Sequence, residues 1–409
     1  MTASAHDRWR YGEILLGHAG LAAGLRVTRA KRAARGDGFR VGLMSPFYET
    51  AHGTYTRFAK WIPVLEGMGC QAELLTASTS EAYLGFQHGD SDADWRYCRE
   101  CLRDQWRNLR RAAAYDVVVL HRGIFPLSTW QRPTFEKALF RQNRHIVYDF
   151  FDAIWLQRQD AGNERNSLRR WLNPPDKIEC IMDLASVVTV SNEYLATWAR
   201  QHHPDVRVIP MLVDVDDYEL RVHEERRPVV IGWIGSRYQV PRLMSLAPAL
   251  ERLAATRDIV LRVVCTEPVA VPGVRMEYRT HPWSPDSDRR DFADLDIGVM
   301  VLEDTEYDRG KSPYKLLQYA AAGLPVVTTP VAVDLSVFEP GSKLLLAHDQ
   351  EEWYASLLQL VDDVELRRRI GLAARETVDR LFSYKAYADA FVGALSAAAD
   401  RPRPTALSV

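Results

Sequence analysis

The sequence predicts an α/β protein with two doubly wound parallel sheets, one per domain, facing a cleft. Three observations predict it. From residue 40 onward, apolar β-rich runs alternate with stretches of helical period. Most of these runs are too uniformly apolar for a sheet with one wet face, so helices are expected on both faces. The alternation stops at a polar stretch, "YELRVHEERRP" (218 to 228), and then restarts, dividing the 409 residues into two cores of ordinary domain size.

Residues 1–38 come first and read as a basic and apolar extension. They suit an extra helix on the first domain, or an amphipathic helix lying on a membrane surface. The basic tail and the lack of a small-residue cleavage pattern argue against a secretion signal. The first domain, 39–218, carries expected strands at 40–47, 70–77, 115–123, 144–152, 186–191 and 206–214, with helical stretches at 54–69 and 193–204. A linker is expected at 219–228. The second domain, 229–381, carries strands at 229–235, 259–265, 274–278, 295–302, 324–330 and 342–347, and helices at 241–255, 313–322, 350–361 and 363–381. A last helix falls within 382–398, and 399–409 is expected to be a disordered tail.

Composition narrows the function. A formal net charge of −2 leaves no electrostatic footprint for a polyanion, so nucleic acid is not an expected partner. Five cysteines, Cys70, Cys98, Cys101, Cys180 and Cys265, are a sparse and odd set that fits a reducing cytoplasm better than a disulfide scaffold. Cys98 and Cys101 form a lone C-x-x-C with no second pair at zinc spacing, so they read as one helical face and no metal site is expected. No run reaches the ~18 apolar residues of a membrane span. A cytoplasmic protein follows, with peripheral membrane association as an extension of that reading.

The stretch "DRGKSPYKLLQYAAAGLPVV" (308 to 327) places Arg309, Lys311 and Lys315 around a helix start. Ser312 is a candidate cap and Pro313 suits the first turn; Gly323 and Pro325 mark the stop. Leu316, Leu317, Ala320 and Ala321 make the apolar face, while Lys315 and Gln318 are helical neighbours. Each cation near a helix N-terminus costs about 0.3 to 1 kcal/mol. Asp308 offsets one charge; a bound phosphate or diphosphate would make the whole cluster favourable. Three side chains extended into water are the plain alternative.

These residues resemble glycosyltransferases of the GT-B fold, most of all the large retaining family 4. "KLLQYAAAGLPVV" (315 to 327) is similar to that family's lysine, carboxylate, small-residue helix, glycine and Pro-Val-Val pattern. Supporting pieces are 186–218, like the end of its first domain, "VVIGWIGS" (229 to 236), like the opening of its second, and the last helix after "FSY", like the one that crosses back. The resemblance implies two Rossmann-like domains and transfer of a sugar, with retention, from a nucleotide-diphosphate donor to an acceptor hydroxyl on a carbohydrate, glycolipid or small molecule. It implies no metal or other cofactor. Donor contacts then fall on Gly235, Ser236, Arg237, Lys311, Ser312, Lys315 and Gln318. Two departures stand out: the ribose-holding carboxylate is Gln318 here, and the motif's earlier glutamate is Gly310.

In the first domain the resemblance places the flexible first strand-helix loop at 45–57, with Gly53 and a capping Thr54 turning amides towards diphosphate and acceptor. His121 and Asp152, at the ends of "DVVVLHRG" and "IVYDFFD", are the candidate catalytic contacts; a structural histidine and a helix cap are their alternatives. A solvated loop charge is the plain alternative for Arg237, and Trp283 reads as core rather than a base-stacking wall. Two other functions stay open: a non-catalytic nucleotide-sugar-binding protein, suggested by the missing acids, and an epimerase or phosphorylase on the same scaffold.

Overall fold

The computed structural model describes residues 39–87, 91–124, 133–156, 176–265, 268–283, 287 and 290–400; the extension at 1–38 and tail residues 401–409 lie outside them. The chain forms two compact units: the first runs to Pro210 and includes the chain from Ala388 on, and the second is Met211–Tyr387. Among the described residues no helix is long and apolar enough to cross a membrane.

The first unit holds a six-stranded parallel sheet in the order β2-β1-β3-β4-β5-β6. Its strands are β1 Phe39–Met44, β2 Cys70–Leu75, β3 Val117–His121, β4 Ile146–Phe150, β5 Val187–Val190 and β6 Val206–Val208. The uniformly apolar runs are explained by burial on both faces: β3, β4 and β5 are buried at every residue. β6 is shorter than the expected 206–214. Pro210 offers no N–H to a ladder, and the first unit ends there.

Helix Ala388–Asp400 completes this unit. It buries Phe391, Ala394, Leu395 and Ala398, which share one face at helical spacing. Phe391 meets Trp61, on helix Trp61–Gly67, with ring centroids 4.4 Å apart.

The second unit holds a parallel sheet in the order β12-β11-β10-β7-β8-β9. Its strands are β7 Val229–Ile234, β8 Ile259–Cys265, β9 Tyr278–Pro282, β10 Ile297–Met300, β11 Val326–Thr328 and β12 Leu345–Leu346. The chain winds outward in one direction from β7 and in the other from β10, so the topological switch point lies between these paired neighbours.

Three expectations are corrected here. The strand expected at 274–278 begins at Tyr278, because the Glu251 carboxylate accepts the backbone N–H groups of Arg275 and Met276 and takes them out of any ladder. The linker expected at 219–228 is a strap fixed to the second unit. Arg221 and Arg226 both bind the buried Asp296 carboxylate, at 3.0 and 3.1 Å, and a ring nitrogen of His223 lies 3.0 Å from the Gly323 carbonyl. Residues 211–218, read as first domain, also belong to the second unit.

Helix Tyr314–Ala321 ends where Gly323 takes φ +73°, with the Leu324 N–H reaching back to the Tyr319 carbonyl and the Gly323 N–H to Ala320. Helix Val364–Leu381 crosses this end closely: a Cβ on Gly371 would lie 2.0 Å from the Gly323 oxygen.

Candidate functional site

The loops leaving the carboxyl ends of β7 and β10 flank the switch point of the second unit, where doubly wound sheets take their ligands. The first carries Gly235, Ser236 and Arg237; Ser236 and Arg237 are exposed, and Arg237 opens the 3-10 turn Arg237–Gln239. Gly235 has a structural duty there: a Cβ would stand 2.5 Å from the Trp233 ring, so the glycine leaves room for that ring.

The second loop folds into helix Glu306–Arg309 and then reaches Lys311 and Ser312. Its charges are organised by Asp308, which has no exposed surface. One carboxylate oxygen accepts from Arg242 at 2.8 Å, the other from Lys311 at 3.2 Å, and the Glu303 N–H adds a third bond at 3.0 Å. Arg309 pairs with Asp304 at 2.6 Å on the surface. The crowded cations are therefore partly compensated by the chain itself. Two positive side chains sharing one buried carboxylate still leave a net positive cluster, which suits an anion.

Lys315 is held differently. Its ammonium donates to the Gln318 amide oxygen at 2.7 Å, and the Gln318 NH2 donates to the Tyr218 hydroxyl at 2.8 Å. Gln318 is wholly buried. Both ends of the amide at this position, to which the resemblance gives the ribose, are engaged within the chain, and no surface of it is exposed. The cap expected of Ser312 is corrected: Pro313 occupies the cap position without a side-chain bond, and the buried Ser312 Oγ has no partner among the described residues. Trp283 is half-buried just beyond β9, and its backbone N–H donates to the Cys265 carbonyl at 2.6 Å.

In the first unit, the ends of β3 and β4 build a buried polar cluster. Asp149 binds Arg57 through Nη2 at 2.7 Å and Nε at 3.1 Å, accepts from Thr189 at 2.7 Å, and lies 3.1 Å from His121 Nδ1. Burial by itself would raise the Asp149 pKa, but the Arg57 charge and the bonds from His121 and Arg57 outweigh it and hold the carboxyl below its ordinary value. An ionised Asp149 only accepts, so Nδ1 of His121 carries the proton and Nε2 keeps a lone pair. Burial pushes the His121 pKa down, against the opposing pull of Asp149. The ring stacks on Phe151 at 5.0 Å, and its buried Nε2 has no partner among the described residues.

Asp152 pairs with Arg122, a residue held at φ +59°, whose guanidinium also lies over the Phe151 ring. Gly53 lies in the short helix His52–Thr54, where a Cβ would meet Phe151 at 3.1 Å. Thr54 does not cap that helix: its hydroxyl is buried and bonded to Ser45 at 2.7 Å. Among the described residues, no group of three or more His, Cys, Asp or Glu is placed to hold a metal ion.

Sequence reasoning missed Arg57, Thr189, Arg242 and Tyr218. Arg57 closes the first strand-helix loop at 45–57 and Tyr218 closes the segment read as the first domain's end, yet nothing local marks either one. Their partners lie 92 and 100 residues away.

Comparison with known proteins agrees with this architecture. Residues 247–393 match a family model described as glycosyl transferase-like, which takes in both lysines of the switch-point loop and helix. A sucrose-phosphate synthase from Thermosynechococcus elongatus aligns with TM-score 0.60 and 13% identity over 87% of this chain and 98% of its own. A glycosyltransferase from Rickettsia africae ESF-5 aligns with TM-score 0.60 and 13% identity, covering 89% of this chain and 100% of its own. HepE from Anabaena, solved with UDP and glucose, gives TM-score 0.60 and 13% identity over 88% and 99%. No curated protein sequence matches. The fold is that of the GT-B glycosyltransferases, two parallel six-stranded α/β units.

Proposed function

We propose that the protein is a glycosyltransferase that moves a hexosyl group, with retention, from a nucleotide-diphosphate sugar to a hydroxyl of a carbohydrate, glycolipid or small-molecule acceptor. One observation carries the reading: Arg242 and Lys311 share the single buried carboxylate of Asp308 beside the switch point of the second unit. Breaking the anomeric bond leaves negative charge on the departing diphosphate. Cations already fixed in place stabilise that charge without reorganising at the moment of reaction. Lys311, Lys315 and the exposed Arg237 supply the donor side, with no metal or other cofactor assigned. His121 Nε2 and Asp152 are the candidate contacts of the first unit for donor sugar or acceptor. The 13% identity of HepE leaves its UDP and glucose as support for the ligand class alone.

A non-catalytic nucleotide-sugar-binding protein is the second reading, favoured by the absence of both motif acids at Gly310 and Gln318. A thermal-shift screen with UDP, GDP, dTDP and ADP, repeated on Lys311→Ala, tests the site. Ligand at 100-fold above its dissociation constant stabilises by about 2.7 kcal/mol, and that shift should shrink in the variant. Incubating the matching nucleotide sugars with mixed acceptors separates the two readings: a transferase consumes donor, and a binding protein returns it intact.

A further inference from the structure

We propose that Gln318 is a positioning residue that holds the Lys315 ammonium for a diphosphate oxygen while leaving its charge intact, in place of a ribose contact. The inference rests on the reading above, and it assigns a different task to a position the resemblance gave to the nucleoside. The Tyr218 hydroxyl, the Gln318 amide and the Lys315 ammonium form a chain at 2.8 and 2.7 Å. Its inner members are buried, Gln318 completely and Tyr218 nearly so, and Lys315 at the outer end is half-buried. Phe292 backs the chain: its ring meets Tyr218 edge-on at 5.4 Å, and the Lys315 nitrogen lies 5.9 Å from its centroid.

The chemistry of the middle group decides what the outer one can do. A carboxylate at position 318 would accept the same hydrogen bond from Lys315, but it would also cancel the ammonium charge at contact distance and project negative potential towards an incoming phosphate. An amide orients the lysine equally well and cancels nothing. The loss of the acid is then an adaptation of the phosphate site, and its sign is testable because the two roles predict opposite effects of restoring the acid.

The experiment uses the full-length protein as wild type, Gln318→Glu, Lys315→Met and the double variant, with UDP, GDP, dTDP and ADP titrated calorimetrically and melting followed by circular dichroism. The nucleotide that binds wild type is expected to bind Q318E about tenfold more weakly, and the double variant no more weakly than Lys315→Met alone. Binding to Q318E as tight as wild type or tighter overturns the inference and returns position 318 to the ribose. An equal further loss in the Lys315→Met background also overturns it, since the effect would not pass through the lysine. If Q318E lacks a native melt, Gln318→Met serves instead: about threefold weaker binding that depends on Lys315 supports the inference, and undiminished binding overturns it. Wild type that binds none of the four nucleotides overturns the proposed function, and the inference falls with it.

Discussion

His121 Nδ1 lies 3.1 Å from Asp149 Oδ2, with both side chains buried at the carboxyl ends of adjacent parallel strands. The bond fixes a neutral imidazole with its lone pair on Nε2, a group that accepts from a hydroxyl.

A pH dependence follows. Burial holds the His121 pKa below its unfolded value, and Asp149 is held below its own. In both cases the unfolded chain takes up protons first. Stability is therefore full above the unfolded pKa values and falls on acidification, beginning near pH 6.5 for the histidine and near pH 4 for the aspartate. His121→Gln should flatten the loss between about pH 7 and 5 in urea titrations; parallel curves for variant and wild type would remove His121 as the source.

Asp149→Asn strips the carboxylate from the buried guanidinium of Arg57, which also donates to the Ile209 and Pro210 carbonyls at 2.6 and 2.8 Å. Breaking a buried pair this way costs about 3 to 5 kcal/mol. The double change Arg57→Met, Asp149→Leu should cost less than the two single changes added together. Additive losses in a double-mutant cycle would show that the pair is not coupled.

Lys311→Ala should weaken diphosphate binding about tenfold or more, and the deficit should narrow at high salt. Arg309→Ala should leave binding within about twofold, because that side chain pairs with Asp304 on an exposed surface. Equal losses in the two variants, measured by calorimetry, would mean that general charge rather than a built site attracts the ligand.

Gly371→Ala pushes a methyl group into the Gly323 carbonyl at 2.0 Å, where only backbone can yield. A loss of about 1 to 3 kcal/mol is expected. Gly67→Ala meets nothing within 4 Å and ends a helix, so it should be neutral or stabilising by about 0.5 kcal/mol. Chemical denaturation midpoints compare the two directly.

Much of the fold was legible because β3, β4 and β5 are buried on both faces, and a sheet so covered writes its strands as continuous apolar runs. The helix at Tyr314–Ala321 was legible for a local reason, since Gly323 must take a left-handed conformation to end it. The strap at 219–228 misled because its charges look solvated until Asp296, 70 residues further on, gathers them. The site was half legible. Lys311 and Lys315 announced themselves by sign and spacing, whereas Arg57 and Tyr218 act through partners that only folding brings near. For Gln318 the sequence shows the residue type and not the Tyr218 and Lys315 partners that engage its amide.

The return of helix Ala388–Asp400 to the first unit bears on biosynthesis. Trp61 is synthesised more than 300 residues before Phe391, the ring that covers it. The sheet of the first unit therefore keeps its apolar seat for that helix open until residues 388–400 have been made. A chain cut after Tyr387 has all the residues of the second unit and lacks the helix that completes the first.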